Sequence, residues 1–235
     1  MTPTPRYLRL LIAALLAAAP ALAQTGFPFT AESLRYSINW PSGLSLGEAT
    51  FSAHKTDGGW SLEASTDAAI PGFSISDKFR SSVTPDLCSL EFTRNTAHGG
   101  RKTAEKTTFD QKKGSAHRVT TLPEDGGTSD FDIPSCARDA LAFVNFARRE
   151  MGQGRVAPPQ NVFFGSSYSV RIDYTGAVTI PSGEKPAVTD HVNVSIKGPK
   201  ASITVEVFFA RDAARTPLLV RIPVPVGTLS LELVR

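Results

Sequence analysis

Residues able to do covalent or acid–base chemistry are few in this chain and lie far apart. Gly43-Leu-Ser45-Leu-Gly47 satisfies the literal G-x-S-x-G pattern of a serine nucleophile. That chemistry needs a strand before the serine and a helix after it, so that the hydroxyl stands out on a strained turn. Here strand-like alternation lies on both sides, so Ser45 reads as part of a hairpin. His54, His98, His117 and His191 are scattered over separate segments. None has the i,i+4 partner of a zinc motif, and their order suggests no catalytic triad. The acidic loop from Glu124 to Asp132 lacks the regular oxygen-ligand spacing of a calcium site. No Gly-rich loop precedes a helix to cradle phosphate. The expectation is a protein with no catalytic residue, no metal and no cofactor. A hydrolase using Ser45 stands last among the readings.

Other residue types carry more information. Cys88 and Cys136 are the only cysteines. With no CxxC spacing, the pair is expected to form one structural disulfide in an oxidising compartment. Arg94, Arg101, Lys102, Lys106, Lys112, Lys113 and Arg118 outnumber Glu105 and Asp110 in one stretch. Such a stretch could meet anionic head groups, or it could be an exposed hairpin whose lysines discourage edge-to-edge association. Phe109 is its only aromatic residue, so base stacking with nucleic acid is not expected.

The element positioned to organise the chain is one helix, read over Ser135 to Glu150. Ala140, Phe143, Val144 and Ala147 recur at three and four residues, and Leu141 and Phe146 widen the stripe. Arg138, Asn145, Arg148 and Arg149 fall largely outside it. Pro134 precedes it and Gly152 stands where a left-handed cap is often needed. The rest alternates with period two: Leu34, Tyr36, Ile38 and Trp40; Val192, Val194 and Ile196; Ile203, Val205, Val207 and Phe209; Leu229, Leu231 and Leu233. Asp57-Gly-Gly59 and Pro71-Gly72 mark turns. Residues 122–134 read as a loop leading to the helix. The fold class is mainly β: a large curled antiparallel sheet, a half-barrel or open barrel, of about ten to twelve strands with one helix packed against it.

Adjacent phenylalanines inside strands, Phe163-Phe164 and Phe208-Phe209, should put an aromatic ring on each face of the sheet. Either both faces are covered by other parts of the chain, or one face is a concavity for a ligand. On the second reading Phe143, Phe146, Phe163, Phe164, Phe208 and Phe209 are the candidate ligand-binding residues, with the helix as a plug or lid.

Residues 1–23 read as a cleaved signal peptide: Arg6 and Arg9, the apolar run Leu10 to Ala19, then Ala21-Leu-Ala23. Residues 24–235 would form a single domain of 212 residues, sufficient for a proper core. The formal charge of +3 falls to +1 without Arg6 and Arg9, which gives no global pull toward nucleic acid. No later stretch is long and apolar enough to span a bilayer. A periplasmic location follows as the expectation.

These motifs, in this order, resemble the exported bacterial DUF3108 family. Leu34, Tyr36, Trp40 and Gly47 are similar to its opening strand and glycine; Asp77-Lys-Phe79-Arg-Ser81, Pro85 and Phe109-Asp110 to its middle strands. Asp139-Ala-Leu-Ala-Phe-Val-Asn-Phe-Ala-Arg148 resembles its Asp-led helix, and Val207-Phe-Phe with Pro217 its late strand and turn. Pro223 and Pro225 depart from that pattern and are expected to disturb the terminal hairpin. The resemblance implies a curved antiparallel sheet in the cell envelope and supplies no reaction. Two functional classes stay open: a carrier or chaperone of an apolar or amphiphilic envelope component, lipid above all, or a scaffold that docks on an envelope protein and has no cavity.

Overall fold

The computed structural model describes residues 31–235 except 71, 184, 226 and 235. The expected signal peptide lies outside the described residues. Among the described residues, fifteen strands and one α-helix make up the fold. The first eight strands are β1 (Ala31–Asn39), β2 (Ser45–Thr56), β3 (Gly59–Ile70), β4 (Phe73–Val83), β5 (Ser89–His98), β6 (Arg101–Asp110), β7 (Ser115–Leu122) and β8 (Thr128–Asp132). A two-residue β9 (Arg138–Asp139) leads into α1 (Ala140–Gly152). Then come β10 (Gln160–Phe163), β11 (Ser167–Ser182), β12 (Lys185–Lys197), β13 (Ser202–Ala210), β14 (Pro217–Val224) and β15 (Gly227–Leu233).

All fifteen join one sheet, in the order β8 through β1, then β15 down to β9. The first and last long strands therefore pair at its centre, Tyr36 opposite Leu233 and Ile38 opposite Leu231. Every pairing is antiparallel except the short β9–β10 contact. The hydrogen-bonded ladder does not close. Aromatic side chains cross the gap instead: the Phe163 ring lies 5.6 Å from Phe131 of β8 and 5.9 Å from Phe109 of β6. The curled sheet is as expected, with more strands than the ten to twelve read from sequence. The polar segment 122–134 contains β8, and the apolar run after residue 160 divides into β10 and β11 at Gly165 (φ 69°).

Backbone geometry explains the G-x-S-x-G match. Gly43 takes φ 85° in the β1–β2 turn, a region that favours glycine. A side chain at Gly47 would meet the Asp67 carbonyl oxygen at 2.0 Å, so β2 and β3 can approach only because it is absent. Ser45 is the first residue of β2 and no helix follows it, its Oγ 3.3 Å from Ser37 Oγ. The terminal hairpin also pairs fully, Pro223 opposite Thr228 and Val224 opposite Gly227. The β13–β14 pairing ends at Arg221, so the nitrogen of Pro223 stands where β13 asks for no donor.

The helix begins five residues later than its periodicity suggests. Cys136 adopts φ 53°, and the Ala137 carbonyl accepts from Ser89 N at 2.9 Å. Residues 135–136 therefore form a turn, and 138–139 the short β9, before the helix can start. Asp139 is the N-cap, with Oδ1 accepting from the amides of Leu141 and Ala142 at 2.8 and 3.0 Å. At the other end Gly152 remains helical, and Gly154 (φ 74°) makes the left-handed turn.

Candidate functional site

The barrel interior is unevenly filled, and side-chain size is the reason. On the β3–β8 side, Trp60, Leu62, Phe92 and Phe109 reach inward and pack with Leu141, Phe143 and Phe146 of α1 into the main core. On the β12–β14 side the inward positions are short: Val194, Val205, Val207, Val220. A cavity of about 490 Å³ remains between them and α1, inside the roughly 300–1,000 Å³ range of small-molecule sites. Interiors pack at crystal-like density, and a wall of half-buried valines marks a departure from it.

One end of this cavity is polar and internally satisfied. Arg148 donates to both Glu32 oxygens, from Nη1 and Nη2 at 2.7 Å each. Its Nε donates to the Ala214 and Arg215 carbonyls at 3.1 and 3.3 Å, and Nη1 reaches Asn145 Oδ1 at 3.3 Å. Asn145 Nδ2 in turn donates to the Leu141 carbonyl at 2.9 Å. The Tyr36 hydroxyl donates to the Pro217 carbonyl at 2.8 Å. Burial, the largest influence on it, raises the Tyr36 phenol above its ordinary pKa and keeps it neutral.

Three further contacts pin α1. Asp139 is fully buried, and its Oδ2 accepts from Ser81 Oγ at 2.5 Å and Ser89 Oγ at 2.6 Å. Ser89 Oγ also accepts from Asp139 N at 2.8 Å. Burial pushes the Asp139 carboxyl pKa up, against the opposing pull of its four donors. Cys88 and Cys136 are bonded, with Cα atoms 4.6 Å apart. Cys88 lies in the turn before β5 and Cys136 three residues before the helical cap, so the link ties the approach to the helix rather than the helix itself. Arg149 reaches the Pro85 and Asp86 carbonyls at 3.4 and 3.3 Å.

Of the aromatic candidates, Phe143, Phe164 and Phe209 line the cavity. Phe146 lies beneath the Arg138 guanidinium, 3.7 Å from the ring centre. Phe163 fills the seam described above. Phe208 stacks on His191 with ring centres 4.3 Å apart, in a separate cluster with Ile180, Leu218 and Leu219. The opposite-face rule therefore holds for Phe208 and Phe209. It does not hold for Phe163 and Phe164, because β10 ends between them and both join the main core.

Periodicity missed Arg148, expected outside the apolar stripe and in fact buried. Its partner Glu32 is 116 residues away in sequence, beyond any local signal. Val144, expected against the sheet, is 39% exposed because it faces the cavity. In the basic stretch, Arg94 and Arg118 turn toward the β10–β11 turn. Arg118 donates to the Gly165 carbonyl, and Arg94 lies over Phe164 at 5.3 Å while pairing with Glu105 at 3.5 Å. Lys102 and Lys106 are exposed on β6, which is paired on both sides, and Lys112 and Lys113 are exposed in the β6–β7 turn.

The family model for DUF3108, described as a protein of unknown function, matches residues 35–234. The fold is similar to the crystal structure of a "beta-barrel-like protein" of the domain of unknown function DUF1849 from Brucella abortus. The TM-score is 0.63 at 9% identity, covering 86% of this chain and 95% of that one. A "putative lipoprotein" from Parabacteroides distasonis ATCC 8503 aligns over 88% of this chain and 95% of its own, at 8% identity and a TM-score of 0.34. No curated protein matches the sequence.

Proposed function

This chain belongs to the DUF3108 family, and from that premise we propose that it is an exported, non-catalytic protein that holds an apolar or amphiphilic envelope component in the cavity beside α1. The carrying observation is the cavity itself, apolar along β11–β15 and bordered by Val144, an exposed apolar side chain of α1. A hollow with such walls favours the transfer of hydrocarbon out of water. The Cys88–Cys136 bond supports export to an oxidising compartment. Among the described residues no helix is long and apolar enough to cross a membrane.

The test is native mass spectrometry of protein purified from the periplasm, with lipid extraction, beside titration of a fluorescent fatty acid. Co-purifying lipid and saturable binding at micromolar concentration or tighter are expected. Val205→Trp, which fills the cavity, should abolish both while leaving the protein folded. Absent lipid together with absent saturable binding would overturn the carrier reading in favour of a scaffold.

A further inference from the structure

The strand ends divide into two rims. The turns at 57–58, 84–88 and 211–216 stand at one rim, and α1 lies across it, bonded to Glu32, to the 214–215 carbonyls and to the 85–86 carbonyls. The turns at 40–44, 164–166 and 198–201 stand at the other, where the described residues place only hairpin turns. The cavity lining extends from Glu32, Asn145 and Arg148 at the first rim to Tyr168, Ile196 and Ile222, half-buried residues toward the second. Tyr168 packs directly on Gly198 of the β12–β13 turn: a side chain there would meet the ring at 2.6 Å.

The polar groups at the helix end are spent on one another and on backbone carbonyls. They offer a head group an already neutralised ion pair. Near the β10–β11 and β12–β13 turns the second rim gathers cations. Lys197 and Lys200 are exposed in and beside the β12–β13 turn. The next turn holds Arg94 and Arg118 against Phe164 and Gly165, with Glu105 as the one acid among them. Arg94 Nε faces Glu105 Oε2 at 3.5 Å without a hydrogen bond between them, so Arg94 is partly neutralised and the exposed lysines carry most of the free charge.

We infer that the ligand is an amphiphile with an anionic head, held tail-first: its hydrocarbon end lies against α1 and its head stays at the rim formed by Lys197, Lys200, Arg94 and Arg118. The inference rests on reading the cavity as a binding chamber.

Stearic acid carrying a nitroxide either near its carboxylate or near its methyl end tests the orientation by NMR on the full mature chain. The methyl-end label should broaden the amide signals of Ala140 and Val144, and the carboxylate-end label those of residues 197–201. The Lys197→Glu/Lys200→Glu variant, altered only at exposed positions, should bind stearate roughly three- to tenfold more weakly. Its binding of stearylamine should not weaken, and raised salt should narrow the difference. A reversed labelling pattern, or binding indifferent to head charge in both proteins, overturns the inference and leaves the chamber standing. Absence of saturable binding by stearate and stearylamine alike overturns the chamber as well.

Discussion

Asp139 combines three roles in one carboxylate: it caps α1, satisfies two buried serines and lies at the join of β9, β5 and β4. Asp139→Ala would orphan four donors and should cost about 3 kcal/mol or more, measured by urea denaturation. Its pKa is raised in the folded state. The folded protein therefore binds this proton more tightly than the unfolded chain. The resulting stability is fully present below the ordinary value of 3.8 and is lost as pH rises through the raised value. Asp139→Asn should flatten that part of the stability–pH curve relative to the parent, and an unchanged slope in that window would count against the assignment. Phe143→Ala should cost about 3–5 kcal/mol as a core deletion. Arg149→Ala, at a half-buried residue with long carbonyl contacts, should cost under about 1 kcal/mol.

At the scale of elements, α1 is a single helix with two unlike sides. One packs on the aromatic half of the barrel, and the other borders the cavity and ends in Arg148. Removing one partner of the Arg148–Glu32 pair leaves a buried charge uncompensated. Glu32→Leu should therefore destabilise by about 3–5 kcal/mol, whereas the joint Glu32→Leu/Arg148→Met change should recover most of the loss. Thermal melts of the two single variants and the double variant give the coupling directly. The disulfide closes a separation of 48 residues, worth about 4 kcal/mol through the unfolded chain. Reduction should lower the urea midpoint accordingly, and denatured, unreduced protein should titrate no free thiol.

Over the whole molecule, the distribution of large and small side chains around one sheet decides where the barrel is solid and where it is hollow. Filling the hollow is then a stability experiment as well as a binding one. Val207→Phe should raise or preserve the melting temperature while weakening fatty-acid binding, because added bulk meets empty volume rather than packed core. A loss of several kcal/mol, typical of overpacking, would mean that the valine wall is already in contact with α1.

Period-two alternation from Leu34 to Trp40 and from Ile203 to Phe209 was enough to specify strands with one inward face, and the stripe around Phe143 enough to specify one helix. Both are local, because a side chain's direction follows from its own backbone geometry. The cysteine pair was legible for a different reason: two cysteines with no CxxC spacing and no histidine cluster beside them have few partners other than each other. Helix boundaries were less legible, since Asp139, which caps α1 through Oδ1, is held in place by Ser81 and Ser89 of other strands through Oδ2. The strand count was understated because β8 and β9 are short and owe their pairing to neighbours rather than to pattern. Of the candidate site, Phe143, Phe164 and Phe209 were found, and the valine wall, Arg148 and Glu32 were not. Alternation marks a valine as inward without saying what it faces. Whether it meets a phenylalanine or a void depends on strands far away in sequence, brought opposite by the curl of the sheet. Composition and periodicity determined a one-helix β fold. The tertiary structure alone decided that its interior is filled on one side and open on the other, because packing is a property of facing surfaces and not of either surface alone.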